Sequence, residues 1–350
     1  MLWLKALLAN VLALPSARPE AAPGFSAEVL SSFDRFAADH QKVYLSESER
    51  AFRLGIFSQS LQRIERHNAS GSSYRLGVTP FADLTDEEFL QKHTLDPSVY
   101  SAAKAPAPQP NRGEARESSP RFGDLRSKQV DHSPFLPPVE NQGEVGTCYA
   151  FASVGCAEFE FYRLRKQVAS LSKQHLVDCG TKFSSELQGL VHGTLNASFL
   201  FLQKFGAVLE AKLPYTGDQS DCNYDIVPDV TLPEIGVVTD RVEDLLAVLE
   251  QKPVAITIQV NSELKLYQGG VYAPKYPCGF MKNHGVVAVG YDLTGTVPTI
   301  KIKNSYGTRW GDRGFLHTSV GVEGSSGTCV ISDFNARYFK GDPKAKAEDL

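Results

Sequence analysis

The sequence predicts an α+β protein with a helical lobe and a strand-rich lobe, preceded by a separate helical segment. Residues 25–95 form a charged, helix-rich block without cysteine. Apolar residues at helical spacing dominate residues 148–205, and strand-like runs lie beyond about residue 232. Helical and strand patterns that are segregated along the chain favour an α+β arrangement over alternating α/β units.

The N-terminus is predicted to be a cleaved signal peptide. Residues 1–17 are an apolar run with a single Lys5, closed by Pro15 and small residues, and too short to cross a bilayer. A buried helix is the alternative, which the Pro- and Ala-rich stretch after it disfavours. No later run is long enough to span a membrane. With a net charge of -4 and no basic stripe, nucleic acid is not an expected partner.

All six cysteines lie after residue 147: Cys148, Cys156, Cys179, Cys222, Cys278 and Cys329. A signal peptide implies an oxidising compartment, so disulfides are expected. Six cysteines allow many pairings, and the residues alone leave the choice open.

The helical block at residues 25–95 carries two motifs. The first follows one face of a long helix at spacings of four, four, seven and four, and comprises Glu49, Arg53, Phe57, Ile64 and Asn68. An ordinary amphipathic helix would explain Phe57 and Ile64 but not the polar members. The second motif comprises Gly77, Phe81 and Asp83, after which Thr85 and Glu88 form a capping box for a further helix.

A linker at residues 96–120, rich in Pro, Ala and Ser, separates this block from a globular domain at residues 121–340. The helical lobe is expected at about 121–232, with helices at 148–166, 172–177 and 195–205. The β lobe is expected at about 233–340, with strands at 254–260, 285–291 and 299–304. Residues 341–350 are a polar tail. Clefts between two lobes are common binding sites.

Cys148 is the candidate nucleophile. A glycine-punctuated loop, 141–147, ends there and a helix begins. The helix dipole and unpaired N–H groups at a helix N-terminus favour the thiolate. Gln142, six residues upstream, can return a neutral amide donor toward the same point, as acyl-transfer sites require.

His284 and Asn304 are the candidate base and its orienting partner. If the strands that they flank pair antiparallel about Thr294, the two residues become neighbours. An amide beside an imidazole fixes its tautomer and ring orientation. Bringing a thiol pKa to the 3–4 range takes roughly 7 kcal/mol, of which a helix terminus supplies at most about 2. The base must therefore lie close to Cys148.

Structural roles are the alternatives for these four residues. Cys148 could be an ordinary buried cysteine, His284 a core histidine, and Asn304 and Gln142 turn residues. No C-x-x-C pair is present, so a metal site is not expected. No cofactor is expected either. Asn68 and Asn196 begin glycosylation tripeptides, a pattern that often arises by chance.

Taken together, these residues resemble the papain family of cysteine proteases. Gln142, Cys148, His284 and Asn304 match its oxyanion-hole glutamine, nucleophile, base and orienting asparagine. His284 and Asn304 follow Cys148 by 136 (284 − 148) and 156 (304 − 148) residues, near the 130–150 that the family shows. Residues 124–126, 269–272 and 304–311 also look like family segments, and the two N-terminal motifs resemble its inhibitory propeptide.

The resemblance implies a papain-like fold with an antiparallel, barrel-like β lobe and a helical propeptide. It implies a cathepsin L-like thiol endopeptidase made as a zymogen in the secretory pathway, for a lysosome, a vacuole or export. Implied disulfides pair Cys179 with Cys222 and Cys278 with Cys329. The implied pocket for the side chain two residues before the cut bond includes Thr257, Gly285 and Phe334. Implied partners are peptide or protein substrates, the chain's own propeptide and cystatin-like inhibitors, with the protein a monomer.

Several positions depart from the family pattern. Val145 stands where a disulfide cysteine is usual, and its partner is missing from residues 188–193. Tyr149 and Tyr306 replace tryptophans, and Cys156 has no family partner. Cys156 is expected to be a buried thiol, with a redox or intermolecular role as the alternative. The alternatives to a protease are a papain-like pseudoenzyme or binding protein, and a papain-like acyl transferase.

Overall fold

A computed structural model describes residues 24–95, 128–238, 241–273, 282–320 and 336–342. Residues 1–55 and 56–350 form two compact units. The first contains helix α1 (Ala27–Asp39) and the beginning of helix α2 (Glu47–Asn68). Ser26 begins α1, since its side chain accepts a hydrogen bond from the Val29 amide. The apolar face of α1 is buried through Phe33 and Phe36.

In the second unit, α2 leads to strand β1 (Tyr74–Leu76) and helix α3 (Asp86–His93). The Asn68 side chain donates to the carbonyl of Leu76 at 2.9 Å and accepts from its amide at 3.0 Å, which fixes the end of α2 against β1. The predicted capping box of α3 is present, with both Thr85–Glu88 hydrogen bonds formed. These contacts fix the end of α2 and the beginning of α3.

The helical lobe contains helices α4 (Cys148–Arg165), α5 (Gln174–Phe183) and α6 (Leu195–Phe205). Helix α4 is buried on all sides over its first 14 residues, so it forms the core of the lobe. Helix α5 begins later and ends six residues further than the sequence predicted. The Ser172 hydroxyl does accept from the His175 amide, but the helix continues past Val177 because its apolar face packs on α6.

The β lobe is a sheet whose strands are β3 (Ile235–Val237), β4 (Val254–Ile258), β5 (Tyr267–Tyr272), β6 (His284–Asp292), β7 (Thr299–Lys303), β8 (Phe315–Ser319) and β9 (Arg337–Phe339). Its order is β1-β5-β8-β7-β6-β4-β9-β3, with β2 (Gln129–Asp131) paired to β6. Strands β5 and β8 pair parallel, whereas the other neighbours are antiparallel. Helix α7 (Val242–Leu249) was not predicted.

The predicted register of the β6–β7 hairpin is wrong by two to three residues. Val287 pairs with Lys303, so the hairpin is centred on residue 295 rather than 294, and a bulge follows between Ala288 and Gly290. The shift is set at the turn, where Asp292 pairs with Thr299, and the bulge reduces it from three residues to two. Beside the bulge, a Cβ on Gly290 would lie 2.1 Å from the carbonyl oxygen of Val130, so a glycine permits the close approach of β2.

The predicted signal peptide, the linker and residues 343–350 of the polar tail lie outside the described residues, as do Cys278, Cys329 and Phe334. Within the described ranges, no helix has the length and apolar character needed to cross a membrane. The predicted domain boundaries stay predictions.

Candidate active site

Cys148 is the first residue of α4, where the loop of residues 141–147 delivers it to the boundary of the two lobes. Its side chain is fully buried. The Gly285 amide of strand β6 donates to Cys148 Sγ at 3.3 Å. A Cβ on Gly285 would lie only 3.3 Å from the carbonyl oxygen of Cys148, so a glycine here permits the close approach of helix and strand.

His284 is the first residue of β6 and is also fully buried. Its Nε2 lies 2.7 Å from Asn304 Oδ1, immediately after the end of β7. Asn304 Oδ1 also accepts from the Ser305 amide at 2.8 Å, which identifies it as the oxygen. His284 Nε2 therefore carries the hydrogen. Its Nδ1 has no hydrogen-bond partner among the described residues and can take up a proton.

Burial lowers the pKa of His284 to about 4; the Asn304 hydrogen bond raises it, and nearby His93 lowers it further. The imidazole is therefore neutral at physiological pH in this closed form. His93 ends helix α3 of the N-terminal segment, so part of this effect comes from that segment.

Gln142 is buried beside the Asn304–Ser305 turn. The Ser305 hydroxyl donates to Gln142 Oε1 at 2.5 Å, which fixes the amide nitrogen as the outward donor. One Nε2 hydrogen is used on the Val145 carbonyl at 2.8 Å. The main-chain N–H of Gln142 also donates to the main-chain carbonyl of Ser305 at 2.9 Å, so the Cys148 loop and the asparagine turn are held together.

A second loop, residues 187–193, lies along the helical side of the site. The Tyr149 hydroxyl donates to the Gly189 carbonyl at 2.7 Å, and the Gly146 amide donates to the Leu190 carbonyl at 2.7 Å. A Cβ on Gly193 would meet the Tyr149 ring at 2.6 Å. These contacts join the two segments from which the family's usual cysteines are missing.

The segment at residues 56–95 packs on the β lobe. Strand β1 pairs with β5, and Thr79 donates its hydroxyl to the Lys265 carbonyl at 2.7 Å. Buried Lys265 in turn bonds the Leu84 carbonyl at 2.8 Å and pairs with Asp86 at 2.7 Å. A glycine at position 77 leaves room for the Gln268 side chain, whose Oε1 would lie 2.8 Å from a Cβ there.

The end of this segment reaches the candidate catalytic residues. The Tyr306 hydroxyl donates to the His93 carbonyl at 2.8 Å, and the Tyr306 ring lies 4.8 Å from that of His284. The Leu95 amide donates to the Asn283 carbonyl at 2.7 Å. The segment therefore lies against the His284 side of the site, and Leu95 reaches the Cys148 loop at Gly146.

A buried ion network connects the lobes beneath the site. Glu158 of α4 pairs with Lys173 at 3.1 Å and with Lys303 of β7 at 3.5 Å, and all three are almost completely buried. Lys173 also pairs with Glu140. Burial would raise the pKa of Glu158, but the two lysines hold it below its usual value.

Other predicted positions are placed as follows. A disulfide joins Cys179 and Cys222, with Cα atoms 4.7 Å apart. Cys156 is a buried thiol whose pKa is raised by burial. Thr257 is buried on β4 opposite Gly285. No cluster of His, Cys, Asp or Glu suited to a metal ion occurs in the described part of the chain.

The members of the first N-terminal motif, on helix α2, make different kinds of contact. Glu49 and Arg53 lie 3.9 Å apart, and Glu49 also accepts from the Leu45 amide at 2.9 Å. Phe57 is buried and Ile64 half-buried, as members of an apolar face. Phe81 and Asp83 are both buried, and the Phe81 ring packs on Tyr306.

Sequence reasoning missed Ser305, the Tyr149 hydroxyl and the Tyr306 hydroxyl. Ser305 could have been found, since it follows Asn304 directly. The two tyrosines were noted only as departures from the family pattern. Each bonds a carbonyl far away along the chain, at sequence separations of 40 and 213, which no local pattern reveals.

Comparison with known proteins matches residues 120–337 to the papain family cysteine protease model and residues 33–89 to the cathepsin propeptide inhibitor domain. Cysteine proteinase RD21A of Arabidopsis thaliana is 30% identical over 87% of this chain and 65% of that protein. Cysteine proteinase 2 of Zea mays is 32% identical over 83% of this chain and 79% of its own length.

Thiol protease aleurain of Arabidopsis thaliana is 33% identical over 85% of this chain and 82% of that protein. Among solved structures, the proform of the ragweed pollen allergen Amb a 11 cysteine protease superposes with a TM-score of 0.77. It is 27% identical over 91% of this chain and 97% of that one. Procathepsin L 3 of Tenebrio molitor gives 0.74 and 25% identity over 90% and 100%. The chain thus belongs to the papain family of cysteine proteases, which are cysteine-type endopeptidases, and carries a cathepsin-type propeptide inhibitor domain.

Proposed function

We propose that the processed chain hydrolyses internal peptide bonds through Cys148, His284 and Asn304. One observation carries the proposal. Asn304 holds His284 Nε2 at 2.7 Å, while the amide of the next residue, Gly285, lies 3.3 Å from Cys148 Sγ. Nucleophile and base are thereby adjacent across the lobe boundary, and the imidazole presents Nδ1 for proton transfer.

In the first half-reaction, Cys148 Sγ attacks the carbonyl carbon of the substrate. His284 Nδ1–H gives its proton to the leaving nitrogen, the C–N bond breaks and a thioester remains on Cys148. In the second half-reaction, His284 Nδ1 takes a proton from water, whose oxygen attacks the thioester carbon. The C–S bond then breaks, which regenerates the thiolate and the imidazolium. Asn304 keeps the His284 ring oriented through both steps.

The oxyanion is stabilised by Gln142 and the Cys148 amide. Ser305 and Val145 fix the Gln142 side chain, and one Nε2 hydrogen occupies the Val145 carbonyl. Its second hydrogen and the Cys148 N–H at the start of α4 are the two proposed donors. Such donors act on charge that develops only in the transition state.

The propeptide keeps the zymogen inactive in two ways. Residues 93–95 occupy the position of the substrate, as the Tyr306–His93 and Leu95–Asn283 bonds indicate. Burial also holds the pKa of His284 near 4, so the imidazole is neutral and cannot support the thiolate as a cation. Removal of the propeptide exposes His284 and allows the thiolate–imidazolium pair to form.

The side-chain pocket two residues before the cut bond is proposed to include Thr257, Gly285 and Phe334. Buried Thr257 lies opposite Gly285, which in turn approaches Cys148. An apolar substrate residue is expected there. The chain is proposed to act as a monomer in a lysosome, a vacuole or the extracellular space, and to bind cystatin-like inhibitors.

An acyl transferase would share the first half-reaction, so the acceptor must be measured. Processed protein is incubated with a peptide library in oxygen-18 water, with and without an added primary amine. Hydrolysis predicts oxygen-18 in the new C-terminal carboxylates at internal sites. Amide products in place of carboxylates would identify a transferase, and absence of any cleavage would favour a binding protein. Cys148→Ala is the control and should yield neither product.

A further inference from the structure

Tyr215 contacts both ends of the loop that carries the proposed oxyanion donors. Its hydroxyl oxygen lies 2.8 Å from the main-chain carbonyl oxygen of Gln142 and 2.8 Å from the hydroxyl oxygen of Thr147. A carbonyl can only accept, so the single hydroxyl hydrogen of Tyr215 is donated to Gln142, and the Thr147 hydroxyl donates to Tyr215. The two ends of the loop are thereby bonded to one atom.

Tyr215 is itself held in place by the helical lobe. Its main-chain N–H donates to Glu210 Oε1 at 2.5 Å, and Glu210 pairs with buried Lys173 of the ion network at 3.8 Å. Its ring packs edge-on against Phe151 of α4, with the ring centroids 5.0 Å apart. Burial raises the pKa of Tyr215, and so does negative charge on nearby Cys148, which keeps the hydroxyl protonated. Tyr215 is therefore a fixed, neutral donor.

Thr147 directly precedes α4, but its side chain makes no capping hydrogen bond to the helix. A threonine at this position ordinarily accepts from an N–H group of the first helical turn. Here the Thr147 hydroxyl bonds Tyr215 instead. It therefore does not compete for the N–H groups at the start of α4, where the helix dipole favours a negatively charged oxygen.

The other end of the loop orients the Gln142 side chain. The Gln142 main chain is held on both sides, its N–H by the Ser305 carbonyl and its own carbonyl by the Tyr215 hydroxyl. The Val145 carbonyl, which accepts from Gln142 Nε2, also accepts from the Thr147 N–H at 2.9 Å. A shift of Thr147 relative to Gln142 would therefore move the acceptor that orients the amide.

We propose that Tyr215 is a positioning residue for peptide hydrolysis, whose hydroxyl holds Gln142 Nε2 and the Cys148 N–H at the separation at which both can bond one oxyanion. This rests on the proposed peptidase function. Tyr215 acts through these two donors and not on the thiolate. Its loss slows the steps that place negative charge on the substrate oxygen, and leaves the nucleophilicity of Cys148 unchanged.

The test compares turnover with alkylation in the same preparations of processed enzyme. Tyr215→Phe should lower kcat about five- to tenfold, as expected for one lost neutral hydrogen bond, with KM changed less than about twofold. Here kcat is expressed per active site titrated with an epoxide thiol trap, so misfolded protein does not count. Alkylation of Cys148 by iodoacetamide develops no oxyanion, and its rate should stay within about twofold of the wild-type rate.

An unchanged kcat, or a parallel fall in turnover and alkylation, would overturn the proposal. Tyr224→Phe is the control, because it removes a hydroxyl that also bonds a main-chain carbonyl of the helical lobe, that of Cys179. It should leave kcat and the alkylation rate at their wild-type values.

Double-mutant cycles show whether the hydroxyl acts through the loop. In a Gln142→Ala background, Tyr215→Phe should lower kcat less than about twofold, because the donor that it positions is gone. Thr147→Val removes the hydroxyl that bonds Tyr215, so Thr147→Val combined with Tyr215→Phe should be no slower than Tyr215→Phe alone. Losses in kcat that add up in either cycle would contradict the proposal.

The full-length chain gives a readout that does not depend on turnover. In protein carrying Cys148→Ala, hydrogen exchange at residues 142–147 should be several-fold faster when Tyr215→Phe is added, and unchanged when Tyr224→Phe is added. Unchanged exchange in Tyr215→Phe would show that the hydroxyl does not fix the loop. If the wild-type enzyme cleaved no peptide, the peptidase function would fail, while the exchange result would still decide the role of Tyr215.

Discussion

The two halves of the candidate site are held by different kinds of interaction. His284 and Asn304 lie at the ends of paired strands, in a sheet whose register is fixed by backbone hydrogen bonds. Cys148 begins a helix, but the loops around it are held by single hydrogen bonds from Gly146, Tyr149 and Gln142. The β-lobe half is therefore set by strand pairing, and the helical half by a few single hydrogen bonds, of which those from the Tyr149 and Gln142 side chains can be tested separately by mutation.

The largest effect is expected where the two halves meet, at Glu158. Glu158→Gln removes the charge that buried Lys173 and Lys303 share, and should lower the free energy of unfolding by about 3–5 kcal/mol. Urea denaturation of the zymogen measures this. Asp34→Asn makes the same chemical change in an exposed pair with Arg50 and should cost less than about 1 kcal/mol. Similar losses in both variants would contradict a connecting role for the network.

Gln142 tests the helical half during catalysis. Gln142→Ala should reduce kcat by about 100- to 1000-fold, with a smaller change in KM, because the amide acts on the transition state. Ser305→Ala keeps the amide and removes only the hydroxyl that orients it, so its loss should be smaller. Steady-state kinetics on one peptide substrate compares them. A Gln142→Ala enzyme that keeps kcat would exclude the amide from the oxyanion site.

The pKa of His284 predicts how the stability of the closed form, in which the propeptide covers the site, depends on pH. In the Cys148→Ala chain, where no thiolate can hold a proton on His284, the closed form lowers the pKa of His284 from 6.5 to about 4, so the open form binds more protons between these values. The closed form is therefore destabilised as the pH falls from 6.5 to 4, by roughly 3 kcal/mol in all. Burial would raise the pKa of Asp86, but Lys265 holds it below its usual value, so the Asp86 pair is lost at still lower pH.

Opening is measured as hydrogen exchange in β1 of the Cys148→Ala chain, which cannot process itself. Exchange should accelerate from pH 6.5 to 4.5 after correction for the intrinsic rate. Adding His284→Gln should remove most of this acceleration. The same pH dependence with and without His284 would assign acid opening to other groups.

The sequence predicts the β-lobe half and the helical half of the site to different extents. Strand patterns and a hairpin brought His284 and Asn304 together, although the register was wrong because the turn closes with Asp292 opposite Thr299. Cys148 and Gln142 were predicted from a local loop and helix start. The Tyr149–Gly189 bond was not, because it joins residues 40 apart that share no periodic pattern. Ser172 likewise marked α5 but not its length.

Tyr149 gives the smallest expected effect. Tyr149→Phe leaves the Gly189 carbonyl without its buried donor, and should cost about 1–2 kcal/mol of stability. The Gly146–Leu190 bond still holds the loop, so kcat should change less than threefold while KM for long peptides rises. Tyr224→Phe makes the same chemical change at an exposed tyrosine that bonds the Cys179 carbonyl, and it should leave KM unchanged. An unaltered KM in Tyr149→Phe would separate the 187–193 loop from substrate binding.

The central claim is that Cys148 and His284 form an activated pair once the propeptide has left. The most direct measurement is labelling by an epoxide thiol trap, followed by mass spectrometry, on the zymogen and the processed protein at the same pH. We expect rapid labelling of Cys148 in the processed protein only, slower by at least about 100-fold in His284→Ala, and none in Cys148→Ala. Labelling of Cys148 that was equally slow before and after processing, or unaffected by His284→Ala, would contradict the account.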